Sequence, residues 1–195
     1  MTDARTRAVY DAQAADYAAR FDAAIPRDLR DFAGHLPPGG AVLDLGCGPG
    51  GMAQWLAGQG FAVEAWDASA EMAALAAARP GVAARQRGFE TLSSDGAYDG
   101  IWASFSLLHA ARAELPGLIG RIARALRPGG TAYLAMKLGT GEGRDRLGRF
   151  YAYVSEAELT GWLADAGLRI GAVRTGAAKG LAGTEEPFVT VFAHG

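Results

Sequence analysis

From Ala41 to Lys137 the chain alternates short apolar runs with helical segments, and this alternation constrains the fold more than any other feature. Ala41-Val42-Leu43-Asp44-Leu45, residues 61–66, 82–87, 98–104 and 131–137 read as strands of the buried kind, with helices at 52–58, 69–78 and 113–126 between them. Neighbouring parallel strands are joined by right-handed crossovers, so the order specifies a doubly wound α/β sheet with helices on both faces. Pro37-Pro38-Gly39-Gly40, Pro80-Gly81 and Arg127-Pro128-Gly129-Gly130 supply the breaks between elements.

The flanks carry different patterns. Over residues 5–21, Val9, Tyr10, Ala14, Tyr17, Ala18 and Phe21 recur at helical spacing, which predicts an amphipathic N-terminal helix, followed by a short one over 26–35. We therefore expect an N-terminal helical appendage of residues 1–40 and a core domain of residues 41–195. Residues 138–150 show neither period and exceed the usual α/β connection of about 2–6 residues, so a long functional loop is expected there. Ser155 and Glu158 have the spacing of a capping box for a helix reaching Ala166. Residues 168–174 and 188–193 read as two late strands joined by a Gly-rich loop, an antiparallel addition at one sheet edge.

Composition limits what such a domain does. At 195 residues it has room for one sizeable core, and its 50% hydrophobic and 21% charged residues describe a soluble globular chain. With 19 Lys+Arg against 21 Asp+Glu there is no basic field for a nucleic acid. The single Cys47 cannot form an internal disulfide. Met1-Thr2-Asp3-Ala4-Arg5 lacks the apolar core of a signal peptide, and no apolar run approaches the roughly 20 residues of a membrane span. The expectation is a cytoplasmic protein, and the scarcity of lysine, found only at 137 and 179, reads as the codon bias of a GC-rich bacterial genome. His35, His109 and His194 show no metal-ligand spacing, so no metal is expected.

The first strand runs into Gly46-Cys47-Gly48-Pro49-Gly50-Gly51. These glycines let a ligand approach the backbone, with helix N–H groups expected to face it. Gly46, Gly48 and Gly51 satisfy G-x-G-x-x-G, and Asp67 ends the second strand about 20 residues on, where a carboxylate holds ribose hydroxyls. The plain alternative is a glycine-rich strand-to-helix turn. Asp44 separates the cofactors, because a carboxylate two residues before Gly46 opposes a pyrophosphate and favours a cation.

The stretch Val42-Leu43-Asp44-Leu45-Gly46-Cys47-Gly48-Pro49-Gly50 closely resembles motif I of the class I S-adenosylmethionine-dependent methyltransferases. Tyr98-Asp99-Gly100-Ile101, Ser106-Leu107-Leu108-His109 and Leu126-Arg127-Pro128-Gly129-Gly130 resemble later landmarks of that family in the same order, and the segments around His109 and 137–153 loosely resemble the tellurite-resistance type. The resemblance implies a mostly parallel seven-stranded sheet of order 3-2-1-4-5-7-6, last strand antiparallel, with an N-terminal helical extension over residues 1–40 that covers the cofactor as a lid, the alternative being simple docking onto the core. It implies S-adenosylmethionine as methyl donor and S-adenosylhomocysteine as product. The implied cofactor residues are Tyr17, Asp44, Gly46, Cys47, Gly48, Gly50, Asp67, Ala68, Phe89, Glu90 and Phe105. Many members carry an aspartate after the third strand where this chain has Phe89-Glu90, so Phe89 is expected to stack on adenine and Glu90 or a backbone group to bind its edge, the alternative being a core Phe89 and a solvated Glu90.

Methyl transfer from a sulfonium requires alignment and exclusion of water more than any metal or covalent nucleophile. Cys47 is then a small filler in the turn. His109, beyond the fourth strand's carboxyl end, is the catalytic candidate, removing a proton from the acceptor or hydrogen-bonding it into line; a capping or surface histidine is the alternative. Arg144, Arg149, Tyr151 and Tyr153 are candidate acceptor contacts, against a solvated surface loop. The expected function is S-adenosylmethionine-dependent methyl transfer to a small molecule, the alternatives being a nicotinamide-dependent oxidoreductase or a non-catalytic cofactor binder.

Overall fold

Strands β1 (Ala41–Leu45), β2 (Ala62–Asp67), β3 (Val82–Gln86), β4 (Tyr98–Ser104), β5 (Leu126–Lys137), β8 (Arg169–Lys179) and β9 (Glu185–His194) form one sheet of order β3-β2-β1-β4-β5-β9-β8 in the computed structural model. The structure describes residues 3–21 and 25–195; Met1 and Thr2 of the N-terminal run and residues 22–24 of the expected lid lie outside the described residues. β1 pairs in parallel with β2 and β4, β2 with β3, and β4 with β5, whereas β9 runs antiparallel to both β5 and β8. Two further strands, β6 (Glu142–Arg144) and β7 (Phe150–Ala152), form a separate hairpin. With that hairpin set aside, the order is the expected 3-2-1-4-5-7-6.

The central strands are mostly apolar because both faces are covered. Leu43, Ile101 and Leu134 join a core with α5 (Leu115–Ala125) and α6 (Glu156–Asp165). Val42, Trp102 and Tyr133 point into the opposite core with α2 (Arg27–Gly34), α3 (Gly51–Gly58) and α4 (Ala70–Ala77). There Trp102 stacks on Tyr133 at 3.8 Å and Phe32 packs on Trp102 at 5.4 Å. α2 thus belongs to the sheet's own core through Leu29 and Phe32, while α1 (Ala4–Phe21) lies against α4 and the turn after β4. Ser69 caps α4 by accepting from Met72, and Ser155 with Glu158 forms the expected capping box on α6.

Several boundaries differ from the sequence reading. Residues 138–150 are no open loop: they supply β6 and the turn into β7, closed by Asp145, whose carboxylate accepts the N–H groups of Leu147 and Arg149 at 3.0 and 2.9 Å. β5 starts at Leu126, passing through Pro128-Gly129-Gly130 with a register shift opposite Tyr98 and Gly100. α5 starts at Leu115 with Pro116 in its first turn, after a short 3₁₀ turn at Arg112–Glu114. β8 extends to Lys179 and β9 starts at Glu185, held by backbone ladder bonds along a stretch of β8 too exposed to show an apolar period.

Candidate functional site

The turn after β1 is built by glycine for two physical reasons. Gly46 has φ +84, and a Cβ there would sit 2.2 Å from that of Ser106, which is itself anchored by donating to the Leu45 carbonyl at 2.6 Å. Four N–H groups of this turn are bonded within the protein. Those of Gly46 and Cys47 donate to the Trp66 carbonyl at 2.7 and 2.9 Å, that of Gly48 to Asp67 Oδ2 at 2.9 Å, and that of Gly50 to the Cys47 carbonyl at 3.1 Å. Such a turn presents no ring of free donors to a pyrophosphate.

It presents carboxylates instead. Asp44 is buried beside the turn, and its Oδ2 has no hydrogen-bond partner among the described residues. Burial pushes its pKa up to about 8, nearby Asp67 adding to the shift and the Ala53 N–H opposing it. Asp67 is raised by burial too, although Gly48 and Ser69 N–H groups donate to it. An orphaned carboxylate oxygen in a recess lined by Asp44, Gly46, Cys47, Gly48 and Trp102 suits an ammonium.

That recess adjoins two chambers. The first is lined by Gly46, Gly48, Asp67, Ala68, Phe89 and Ser69. The second lies between Leu108, Lys137, Arg149, Tyr151, Lys179 and Phe188. Tyr17 and Phe105 line all three spaces, and Tyr10 and His109 line both chambers. Phe105 is held at φ +53, a strained conformation for a residue with a side chain, and is 38% exposed with its ring edge-on to Phe188 at 5.6 Å.

His109 is neither a surface nor a capping residue. It is buried, and both ring nitrogens are engaged: Nδ1 meets the Phe150 carbonyl at 2.7 Å and Nε2 the Tyr10 hydroxyl at 2.9 Å. A carbonyl only accepts, so the proton is assigned to Nδ1 and the Tyr10 hydroxyl donates to Nε2. Arg149 donates to the Tyr10 oxygen at 2.9 Å and is itself gripped by Asp145 at 2.7 and 2.9 Å. Burial lowers the His109 pKa to about 4, the Phe150 carbonyl opposing and Arg149 and Lys137 adding to the fall. The ordinary histidine basicity expected from sequence is corrected accordingly: this imidazole is neutral at neutral pH.

The other sequence candidates divide. Cys47 lines the recess with its thiol pushed well above the usual range by burial, as suits a filler. Gly50 lines none of these spaces; a Cβ there would meet the Ala76 backbone at 2.8 Å, so it serves the packing of α3 on α4. Phe89 is a buried wall of the first chamber, whereas Glu90 sits behind the lining with Oε2 buried and unpartnered. Arg149 and Tyr151 line the second chamber. Arg144 and Tyr153 do not: Arg144 binds Asp3, just before α1, at 2.9 Å through both terminal nitrogens, and Tyr153 stacks behind Tyr151. Sequence reasoning missed Tyr10, Lys137, Lys179 and Phe188 as lining residues; for Tyr10 the signal was its place with Tyr17 on one helix face. Among the described residues no helix is long and apolar enough to cross a membrane, and no His/Cys/Asp/Glu group is arranged to hold a metal.

The fold has counterparts. Residues 15–173 match the family model described as Methyltransferase domain, and the chain belongs to that family. Its fold is that of the class I S-adenosylmethionine-dependent methyltransferases. The Burkholderia thailandensis 1,6-didemethyltoxoflavin-N1-methyltransferase, solved with 1,6-didemethyltoxoflavin and S-adenosylhomocysteine, is similar at TM-score 0.79 and 23% identity over 98% of this chain and 87% of that one. A Methanosarcina mazei S-adenosylmethionine-dependent methyltransferase gives TM-score 0.74 and 22% identity over 87% and 97%. TehB from Haemophilus influenzae gives TM-score 0.75 and 20% identity over 91% and 65%. No curated protein sequence matches the chain.

Proposed function

We propose that the protein transfers a methyl group from S-adenosylmethionine to a small-molecule acceptor by in-line displacement. The observation that carries this reading is the meeting of the carboxylate-lined recess and the two chambers at Tyr17 and Phe105, which gives donor and acceptor a shared wall. When bound, the cofactor supplies an electrophilic methyl on a sulfonium. In this reading Asp44 holds its ammonium, Asp67 and Ala68 its ribose, and Phe89 its adenine face. Tyr17 and Phe105 form the partition through which the acceptor atom lines up, and α1 is the cover that keeps water out. Arg149 and Tyr151 face the acceptor. His109 is a positioning residue, fixing the Tyr10 hydroxyl that borders both chambers. A nicotinamide cofactor finds no support in a turn whose N–H groups are internally satisfied and whose flanking groups are carboxylates.

Calorimetric titration tests the reading. Saturable binding of S-adenosylmethionine and S-adenosylhomocysteine without binding of NAD is expected, and binding of NAD with no response to the sulfonium cofactor would overturn it.

A further inference from the structure

The recess and the second chamber differ in charge. The recess carries Asp44 as its one charged side chain and the first chamber sets Asp67 beside Arg7 and Arg87, whereas the second chamber carries Lys137, Arg149 and Lys179 against the single carboxylate of Glu186. The cations are not equivalent. Lys137 is ion-paired to Glu186, its Nζ 3.6 Å from the centre of the Tyr151 ring. Arg149 is almost wholly buried and bound to Asp145, which stands outside the lining. Lys179, at the end of β8, is in no ion pair among the described residues, so the chamber carries an uncompensated positive charge. Five aromatic side chains, Tyr10, Tyr17, Phe105, Tyr151 and Phe188, line the same space, with Leu108 and Leu181 among the rest of the wall.

Resting on the methyltransferase reading above, we propose that the acceptor is a planar aromatic or heteroaromatic anion, its ring held among Phe105, Tyr151 and Phe188 and its charge drawn to Lys179 and Arg149. Flat π faces recognise a ring, and surplus cations at the wall, the exposed Lys179 among them, favour its ionised form. This class also accounts for the absence of a free base beside the partition, where His109 has both nitrogens occupied. An acceptor that enters ionised has no proton to lose: its oxygen or nitrogen lone pair forms the new bond to the methyl carbon, and the carbon–sulfur bond breaks with its pair on sulfur. Anion and sulfonium become two neutral centres, so charges on opposite walls attract the reactants and release the products.

The test uses one ring with three charges. Binding of 2-naphthoate, 2-naphthamide and 2-naphthylmethylammonium is measured by calorimetry at pH 7.5 on protein saturated with S-adenosylhomocysteine, for the wild type, Lys179→Met and Lys179→Arg. The expectation is that naphthoate binds at least tenfold more tightly than the amide, with the ammonium weakest, that Lys179→Met removes most of the preference, and that Lys179→Arg keeps it. Naphthoate binding no better than the amide, or a preference unchanged in Lys179→Met, overturns the proposal. Failure to bind S-adenosylhomocysteine in the first step would instead overturn the methyltransferase reading.

Discussion

The Tyr10 hydroxyl donates to His109 Nε2 across 2.9 Å, tying α1 to the turn after β4 at the boundary of the two chambers. The bond requires a neutral imidazole, and burial supplies one by holding the His109 pKa near 4. Because the folded state refuses a proton that the unfolded chain accepts, His109 lowers stability as pH falls from about 6.5 toward 4 and has no such effect above that window.

For catalysis, His109→Gln should retain turnover within about tenfold, since an amide offers both an acceptor and a donor. His109→Ala and Tyr10→Phe should each cost roughly ten- to a hundredfold through loss of alignment, with S-adenosylhomocysteine affinity unchanged. Steady-state kinetics from pH 5 to 9 check this. An acidic limb near pH 6.5 that vanishes in His109→Gln would return the residue to the role of base.

Asp44 sets the pH dependence of cofactor binding. With a pKa of about 8 in the free protein it is mostly protonated at pH 7, yet an ammonium in the recess needs the carboxylate. Binding should therefore release close to one proton at pH 7, and affinity should rise by up to about tenfold per pH unit between 6 and 8. Calorimetry in buffers of different ionisation enthalpy counts the proton. Its sign is opposite for stability: the raised pKa means that the free protein loses stability as pH climbs from about 4 to 8, and Asp44→Asn should abolish that slope while weakening the cofactor. Cofactor affinity flat with pH would remove Asp44 from the ammonium site.

How far the sequence revealed all this depends on how local each determinant is. The Asp44–Gly46–Gly48 turn and the Ser155–Glu158 cap are written in adjacent residues, and β1 and β4 in short apolar runs whose both faces are buried. The β6–β7 hairpin was illegible because its three-residue strands include Gly143 and two charged residues, and its turn depends on where the Asp145 side chain points. The state of His109 was illegible for another reason. Its partners come from residues 10 and 150, so only the tertiary fold reveals that an apparently titratable histidine is enclosed. Likewise Lys179 and Glu186 reach the chamber only because β8 and β9 extend beyond their periodic parts.

α1 should be fastened to the hairpin by charge. Arg144 binds Asp3, and the guanidinium holds the Asp3 carboxyl well below the usual carboxylate range; Thr6 adds a bond from the Phe150 N–H at 2.8 Å. A depressed carboxyl contributes stability that is present above its unfolded pKa of about 4 and lost as pH falls through its folded value. Hydrogen exchange of α1 amides should accelerate in Arg144→Ala and at high salt, with β6–β7 still protected without ligand by its own ladder. Unchanged α1 exchange in Arg144→Ala would show that the contact fastens nothing.

Phe105 combines a backbone strain with a wall position, and the two effects separate in Phe105→Gly. Its φ of +53 costs a side-chain-bearing residue about 1–2 kcal/mol, which glycine relieves. Against this stands the greater freedom of glycine in the unfolded chain, about 0.5–1 kcal/mol. The ring is 38% exposed, so its removal forfeits only part of an ordinary burial term, chiefly the edge contact with Phe188. These contributions leave stability near the wild-type value, within about 1 kcal/mol or roughly 2–4 °C of Tm for a chain of this size. Function should respond far more strongly, because the partition between cofactor recess and acceptor chamber loses its aromatic surface: turnover should drop at least tenfold, mostly through acceptor binding and alignment. Thermal unfolding and steady-state kinetics on the same preparation check both halves. A large fall in Tm would mean that the ring supports the fold, whereas an unaltered rate would mean that acceptor and donor meet elsewhere than at this partition.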